Sequence, residues 1–434
     1  MNFSSLIFIF FFLPIFLLCY RLVPKKGKKI ILLLFSIVFY LYSGLYNFII
    51  LISLSLFNYL ILLIINRFKK LGFLYYVLII INILVLLVFK YDKSLVFPLG
   101  ISFYIFNSLS YIVDLKGNKI KFDKNIVNYF VYVMLFTHIT MGPITRYDSV
   151  INDLDNYSLS KEDYYDGFRK FLNGLIKKVL IADSLGLLFE TLLKMQNSTS
   201  VLNIFILLVF FLELYIDFSS YSDMAIGIGK MIGINYKENF NYPYLSTSIS
   251  EFWRRWHISL GEFFKEYVYF PLGGNRKGTL KCIFNLLVVW LLTGLWHGNS
   301  INFLLWGIYY GIIIIMEKYI FKNVLDKMPS FLKHIYVIIL VLFGYVFFIG
   351  VDILPFVKTI FSGNLIDNTT IFYIKENLVL VLIGILLCFR LPNKIKELLN
   401  KYNSLMIVWY VILFIIVVSF IVSGSYHPFL YNNF

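Results

Sequence analysis

Apolar residues run through this chain in long uncharged blocks, not in the alternating or one-faced patterns of soluble strands and helices. Such runs extend over 3–20, 30–66, 71–89, 95–113, 282–316 (His297 aside), 335–351 and 404–426. A helix of about 20 apolar residues crosses the hydrocarbon core of a bilayer. The runs 30–66 and 282–316 are each long enough for two helices, and the pattern predicts breaks near Ser43–Gly44 and Gly298–Asn299. Less regular spans are predicted over 126–144, 199–216 and 372–389. The expected architecture is an all-α polytopic membrane protein with about eleven transmembrane helices.

Composition agrees. Of 434 residues, 60% are hydrophobic, 20% aromatic and only 15% charged. A soluble chain of this size forms two or three cores, each needing a charged surface that this composition does not supply. A soluble enzyme, a disordered chain and a disulfide scaffold are therefore excluded. No internal repeat or soluble domain is visible, so one membrane domain is expected over 1–434, with its motifs densest over 97–310. Cys19, Cys282 and Cys388 include no pair at metal-ligand spacing, and no metal site is expected. They read as small buried hydrophobes, with a thiol nucleophile at Cys282, beside Lys281, as the alternative.

The net charge of +15 sits mostly in short loops, which fits a cytoplasmic membrane face and not nucleic acid. Lys25, Lys26, Lys28 and Lys29, then Arg67, Lys69 and Lys70, then Lys116, Lys119, Lys121 and Lys124 fall on one side if the N-terminus is outside. The first 20 residues carry no side-chain charge and the only alanines are Ala182 and Ala225, so the first apolar run is expected to stay as a helix. Between 145 and 280 simple hairpins fail. Residues 168–190 read as a basic amphipathic helix on the cytoplasmic interface, and 249–270 as a second interfacial segment.

Ionisable groups at membrane depth are costly and need a reason. Here they concentrate between 213 and 300. Glu213 and Asp217 share a helical face, as do Asp223, Gly227 and Lys230. Two readings stay open: a structural network pairing Asp223 with Lys230, or a polar tunnel wall formed by Asp217, Tyr221, Ser222 and Asp223. In 251–276, helical spacing puts Trp253 with His257 and Glu251 with Arg255. Arg254 and Arg255 suit a phosphate or pyrophosphate group, since guanidinium binds in two-pronged fashion and stacks on aromatic rings. The Pro-Leu-Gly-Gly-Asn-Arg sequence at 271–276 should break the helix and place Arg276 beyond it. His297 is the one titratable group in 282–316, between Gly294 and Gly298, where the backbone is expected to open for a ligand. An imidazole is the natural general base for a hydroxyl near neutral pH.

The blocks FPLGISFYIFNSLSYIVD (97–114), MGPITRY (141–147), YIDFSSYSDMAIGIGKMIGI (215–234), NYPYLSTSISEFWRRWHISLGEFFKEYVYFPLGGNRKG (241–278) and TGLWHGNSINFLLWG (293–307) resemble the membrane-bound O-acyltransferase family. Within it they resemble the bacterial alginate and peptidoglycan O-acetyltransferase branch. The resemblance implies interfacial and re-entrant helices around a central intramembrane passage in the cytoplasmic membrane. It implies that His297 and His257 match the family's two characteristic histidines. It also implies acetyl-CoA as a donor substrate, with no permanently bound cofactor. The acceptor would be an extracytoplasmic polysaccharide, and a separate Ser-His-Asp type acetyltransferase would be the partner outside.

Acyl transfer needs a base for the hydroxyl proton and a dipole for the developing oxyanion. His297 is the expected base, with His257 or the hydroxyls of Tyr221 and Ser222 polarising the thioester carbonyl. Arg254, Arg255 and Arg276 are expected to hold the donor's phosphates. The rival readings are D-alanyl transfer to teichoic acid, and an acyl-exporting channel with no chemistry of its own.

Overall fold

The computed structural model describes residues 1–156, 159–195, 198–389 and 403–424. The described residues are helical, with no strand among them. They form two compact units, neither a continuous stretch of chain: 1–173 with 221–238, and 174–220 with 239–434.

Both predicted helix breaks occur. Lys28–Tyr42 ends at Ser43 and Leu45–Arg67 follows Gly44, whose φ of 113° lies where a side chain is strongly disfavoured. Thr279–His297 and Ile301–Tyr319 are separated at 298–300, and the Ser300 hydroxyl caps the second helix by accepting from Asn302 N at 3.2 Å. Among the described residues five helices are long and apolar enough to cross a membrane: Leu45–Arg67, Leu74–Tyr91, Ser200–Ile232, Thr279–His297 and Ile301–Tyr319. Asn368–Glu376 and Leu378–Leu387, bent by 57°, make a sixth if counted as one span. Phe8–Leu22, Ser330–Val346 and Met406–Val422 are shorter apolar helices. The end of the predicted run 404–426, and His427 beyond it, lie outside the described residues.

In the first unit, Asn58 and Asn82 exchange amide hydrogen bonds of 3.0 and 2.8 Å between two apolar helices. Each side chain satisfies the other where water is absent. Gly167 and Gly227 cross so closely that a Cβ on either would lie within 2.7 Å of the other's carbonyl oxygen. The Asp223–Lys230 pair expected on helix Ser200–Ile232 does not form. Asp223 meets Lys170 at 3.3 Å and Lys230 meets Asp166 at 2.9 Å. Partners on another helix displace the i, i+7 pairing, which would have to bridge two turns.

Two segments depart from expectation. The predicted span 126–144 is helical only over Ile126–Met134, roughly 13 Å of rise and less than half a bilayer core. The following turn buries His138, whose Nε2 lies 2.9 Å from Asn107 Nδ2 and 3.1 Å from Tyr132 O, and whose Nδ1 lies 3.2 Å from Tyr236 OH. Those partners satisfy the polar groups that a continuous apolar helix would strand. Residues 168–190 are helical, but not as a basic interfacial face. Lys178 is buried, with Nζ 2.7 Å from both Asp183 and Asp217.

Candidate active site

Helix Ile249–Arg255 begins with every early N–H accounted for. Ser248 accepts from Glu251 N at 3.0 Å, while Glu251 reaches back to Thr247 N at 2.8 Å. That is the reciprocal logic of a capping box, moved one residue outward. Ile249 N and Ser250 N donate at 2.6 and 2.8 Å to the buried Glu317 carboxylate of helix Ile301–Tyr319. An anion at a helix N-terminus also suits the helix dipole.

The helix stops after Arg255, so Trp253 and His257 do not share the face their spacing predicted. His257 sits in the left-handed region (φ 45°, ψ 55°) ahead of helix Ile258–Phe264. A non-glycine residue persists there only when its surroundings hold it. The segment 239–241 supplies the hold. Asn241 N donates to Arg255 O and Ile258 N to Asn239 O, both at 2.9 Å. Asn239 Oδ1 accepts from Ser259 N at 3.2 Å and Ser259 Oγ at 3.0 Å, and lies 3.2 Å from His257 Nδ1. The Phe218 ring meets the imidazole edge-on at 4.7 Å.

His297 ends helix Thr279–His297 in an aromatic cage. Its ring centroid lies 4.8 Å from Trp296, 4.9 Å from Trp306 and 5.2 Å from Phe348. Trp296 also stands 6.2 Å from His257. The flanking glycines do not open the backbone as expected. A Cβ on Gly294 would lie 2.5 Å from Phe303 O, and one on Gly298 would lie 2.3 Å from the Phe303 ring. They let two helices approach, and the space they leave is already filled.

Both histidines line one cavity of about 1080 Å³. Leu286, Val289, Trp290, Thr293 and His297 form its wall along one helical face. Eleven residues separate Leu286 from His297, a rise of roughly 16 Å. Arg254, Lys265, Lys318, Lys322 and Lys333 line the same cavity, with Glu262, Glu317 and Asp326 as the acidic members. Cys282 Sγ lies 3.1 Å from Lys318 Nζ and 3.3 Å from Tyr269 OH. Its basic neighbour is thus Lys318, while Lys281 lies over the Phe284 ring.

Arg255, Arg276 and Asp217 are not among the residues that line this cavity, and Tyr221, Ser222 and Asp223 belong to the first unit. Arg255 is 2.6 Å from Glu251, and Arg276 lies in the turn that Gly273 and Gly274 shape at φ 108° and 57°. Asn285 steadies that turn by donating to Gly274 O at 2.9 Å. Asp217 is held by Lys178, Tyr221 bonds Thr140 and stacks on Phe3, Ser222 is buried, and Asp223 pairs with Lys170. Among the described residues no three His, Cys, Asp or Glu side chains are grouped to hold a metal ion. Asn239, Glu317 and the cavity lysines were missed by sequence reasoning. Glu317 carried one signal, a carboxylate near the end of an apolar helix.

Comparison with known proteins supplies an independent line. The sequence profile described as MBOAT, membrane-bound O-acyltransferase family, matches residues 32–354. The chain is 38% identical over 363 residues to the probable alginate O-acetylase AlgI of Pseudomonas fluorescens, covering 80% of this chain and 72% of that protein. It is 29% identical over 505 aligned positions to the peptidoglycan O-acetyltransferase of Helicobacter pylori, covering 99% and 91%. Against the teichoic acid D-alanyltransferase of Bacillus subtilis it is 28% identical over 233 residues, covering 51% and 59%.

Proposed function

We propose, from the premise that this chain belongs to the membrane-bound O-acyltransferase family, that it moves an acetyl group from cytoplasmic acetyl-CoA toward hydroxyls of a polysaccharide outside the membrane. The chain is a multi-pass membrane O-acyltransferase. The observation that carries the finer reading is the cavity, with two imidazoles along it and five cationic side chains on its walls. Cations suit the phosphates of a coenzyme A donor, and the apolar stretch along Leu286, Val289 and Trp290 suits its extended thioester arm. Arg254 is the member of the original arginine set that lines this cavity.

In the reaction, the acceptor oxygen bonds to the acyl carbon as the carbon–sulfur bond breaks. The hydroxyl proton leaves through an imidazole and ends on the departing thiolate, so nothing further is consumed. His297 is assigned the first proton transfer, which general-base catalysis makes worth about 10²–10⁴ in rate. An extracytoplasmic Ser-His-Asp type acetyltransferase would then receive or place the group on the glycan. The greater identity and coverage with the acetylating relatives favour acetyl over D-alanyl transfer.

The proposed orientation places the N-terminus outside and the loops at 25–29, 67–70 and 116–124 on the donor's side, with about eleven crossings in all. Purified protein in sealed vesicles tests donor and direction together. Labelled acetyl-CoA presented to the face bearing residue 26 should be consumed, with acetyl transferred to glycan or partner protein. Consumption only from the opposite face sinks the orientation. Passage of intact acetyl-CoA, with no cleavage of its thioester, would make the protein a channel.

A further inference from the structure

Three groups converge on the side-chain oxygen of Asn239, and together they settle where a proton sits. Ser259 N lies 3.2 Å from it, Ser259 Oγ 3.0 Å and His257 Nδ1 3.2 Å. A backbone N–H can only donate, so the carboxamide atom it meets is the oxygen and not the nitrogen. That oxygen has no hydrogen to give to the imidazole. The hydrogen between Asn239 and His257 therefore belongs to His257 Nδ1.

His257 is 3% exposed, and burial pushes its imidazole down to about 3. It sits between two short helices, outside the candidate membrane spans. The ring is neutral near pH 7 and carries one proton. With that proton on Nδ1, the other nitrogen presents a lone pair.

We propose that Asn239 is a positioning residue that fixes His257 in the Nδ1–H tautomer, so that Nε2 works in acyl transfer as a hydrogen-bond acceptor for the attacking hydroxyl and not as a donor to the acyl carbonyl. This rests on reading the cavity as the acyl-transfer site. It removes one role from the expected set, because a ring whose only proton is committed to Asn239 has none for an oxyanion. The hydroxyl proton itself is taken by His297 and passed to the thiolate, while His257 Nε2 accepts a hydrogen bond from the acceptor hydroxyl and holds it in place. The carbonyl is polarised by some other group. Asn239 does this from the loop that also clamps the left-handed turn, through Ile258 N on its backbone oxygen. Tautomer and backbone strain are thus held by one residue.

The test uses full-length protein labelled with ¹⁵N-histidine, the His257 signals being identified by their loss in His257→Gln. Wild type should show a protonated Nδ1 and an unprotonated Nε2 at neutral pH. Asn239→Leu should lose that fixed tautomer and slow turnover about 10-fold or more, with the donor KM little changed. Asn239→Asp keeps the acceptor oxygen for Ser259, so it serves if the leucine variant fails to fold. Its carboxylate should raise the His257 pKa and move the acid limb of the rate profile to higher pH. A protonated Nε2 in wild type overturns the proposal, as does an unchanged tautomer in Asn239→Leu or an unmoved His257 titration in Asn239→Asp. The nitrogen spectrum stands whether or not the protein acetylates anything. Failure of the acetyl-transfer reading would instead appear as an inactive wild type.

Discussion

The second unit keeps two polar regions in an apolar surrounding, and they are built on opposite principles. Around Lys178, one ammonium meets two carboxylates, Asp183 and Asp217, each at 2.7 Å and all three nearly fully buried. Lys177 adds a 3.1 Å bond to Ser219. Around His257 and His297 the titratable groups line an open volume, bounded by aromatic rings and a row of cations. Buried charges engaged by one another in a low dielectric hold helices together and offer little to a ligand. Groups that line a volume are placed for what enters it. Sequence alone puts Lys178 on an interfacial helix and Asp217 among the ionisable residues at membrane depth, and does not bring the two together.

The comparison breaks first at His297. His297→Gln retains hydrogen bonding but cannot accept a proton near neutral pH. It should fold with an unchanged melting temperature and bind acetyl-CoA normally. Acetylation should fall by about 10²–10⁴-fold, the usual contribution of a general base. Near-normal acetylation by well-folded His297→Gln would remove the catalytic assignment and advance the channel reading.

Lys178 should fail in the other way. Lys178→Met leaves two buried carboxylates facing each other and should cost about 3–5 kcal/mol of stability. The readout is a thermal or denaturant midpoint in detergent. Adding Asp183→Leu and Asp217→Leu should recover most of that loss, because well-packed apolar groups replace buried ion sets at little net cost. Acetylation should return with the fold. A stable but inactive triple variant would mean that the cluster serves the chemistry, and the contrast between the two regions would be false.

The same contrast explains what the sequence made legible. Breaks at Gly44 and Gly298 were readable because uncharged runs of twice a membrane's thickness must turn, and at Gly44 the positive φ is one that glycine permits. His257 and His297 were readable as types of residue, since imidazole in an apolar block is rare. The break at His257 was not readable: Trp256 and His257 are not helix breakers, and the clamp comes from Asn239 in another loop. Nor was the capping by Glu317, which lies 67 and 68 residues from the N–H groups it accepts. Lys178 misled for a related reason. A lysine off the apolar face of a helix looks alike whether it meets water, headgroups or a buried aspartate, and only the tertiary partner decides.

The smallest effect separates the arginines, which charge alone could not rank. Arg254 lines the cavity, whereas the Arg255 guanidinium is engaged by Glu251 at 2.6 Å and Arg276 lies in the Gly273–Gly274 turn. Arg254→Gln removes a charge-assisted hydrogen bond to a donor phosphate, about 1.5–3 kcal/mol, or roughly 10- to 150-fold in donor affinity. Arg255→Gln gives up a helix-surface ion pair worth about 0–1 kcal/mol of stability and should leave donor affinity nearly unchanged. Arg276→Gln should resemble Arg255→Gln. Calorimetric titration of the three variants with acetyl-CoA at fixed low salt reads the order directly, since phosphate contacts weaken as salt rises. Equal losses at all three positions would mean that the donor's phosphates lie against the turn and the helix face as well as the cavity wall. A loss at Arg276 alone would move the donor's entry away from the lysine-lined part of the cavity.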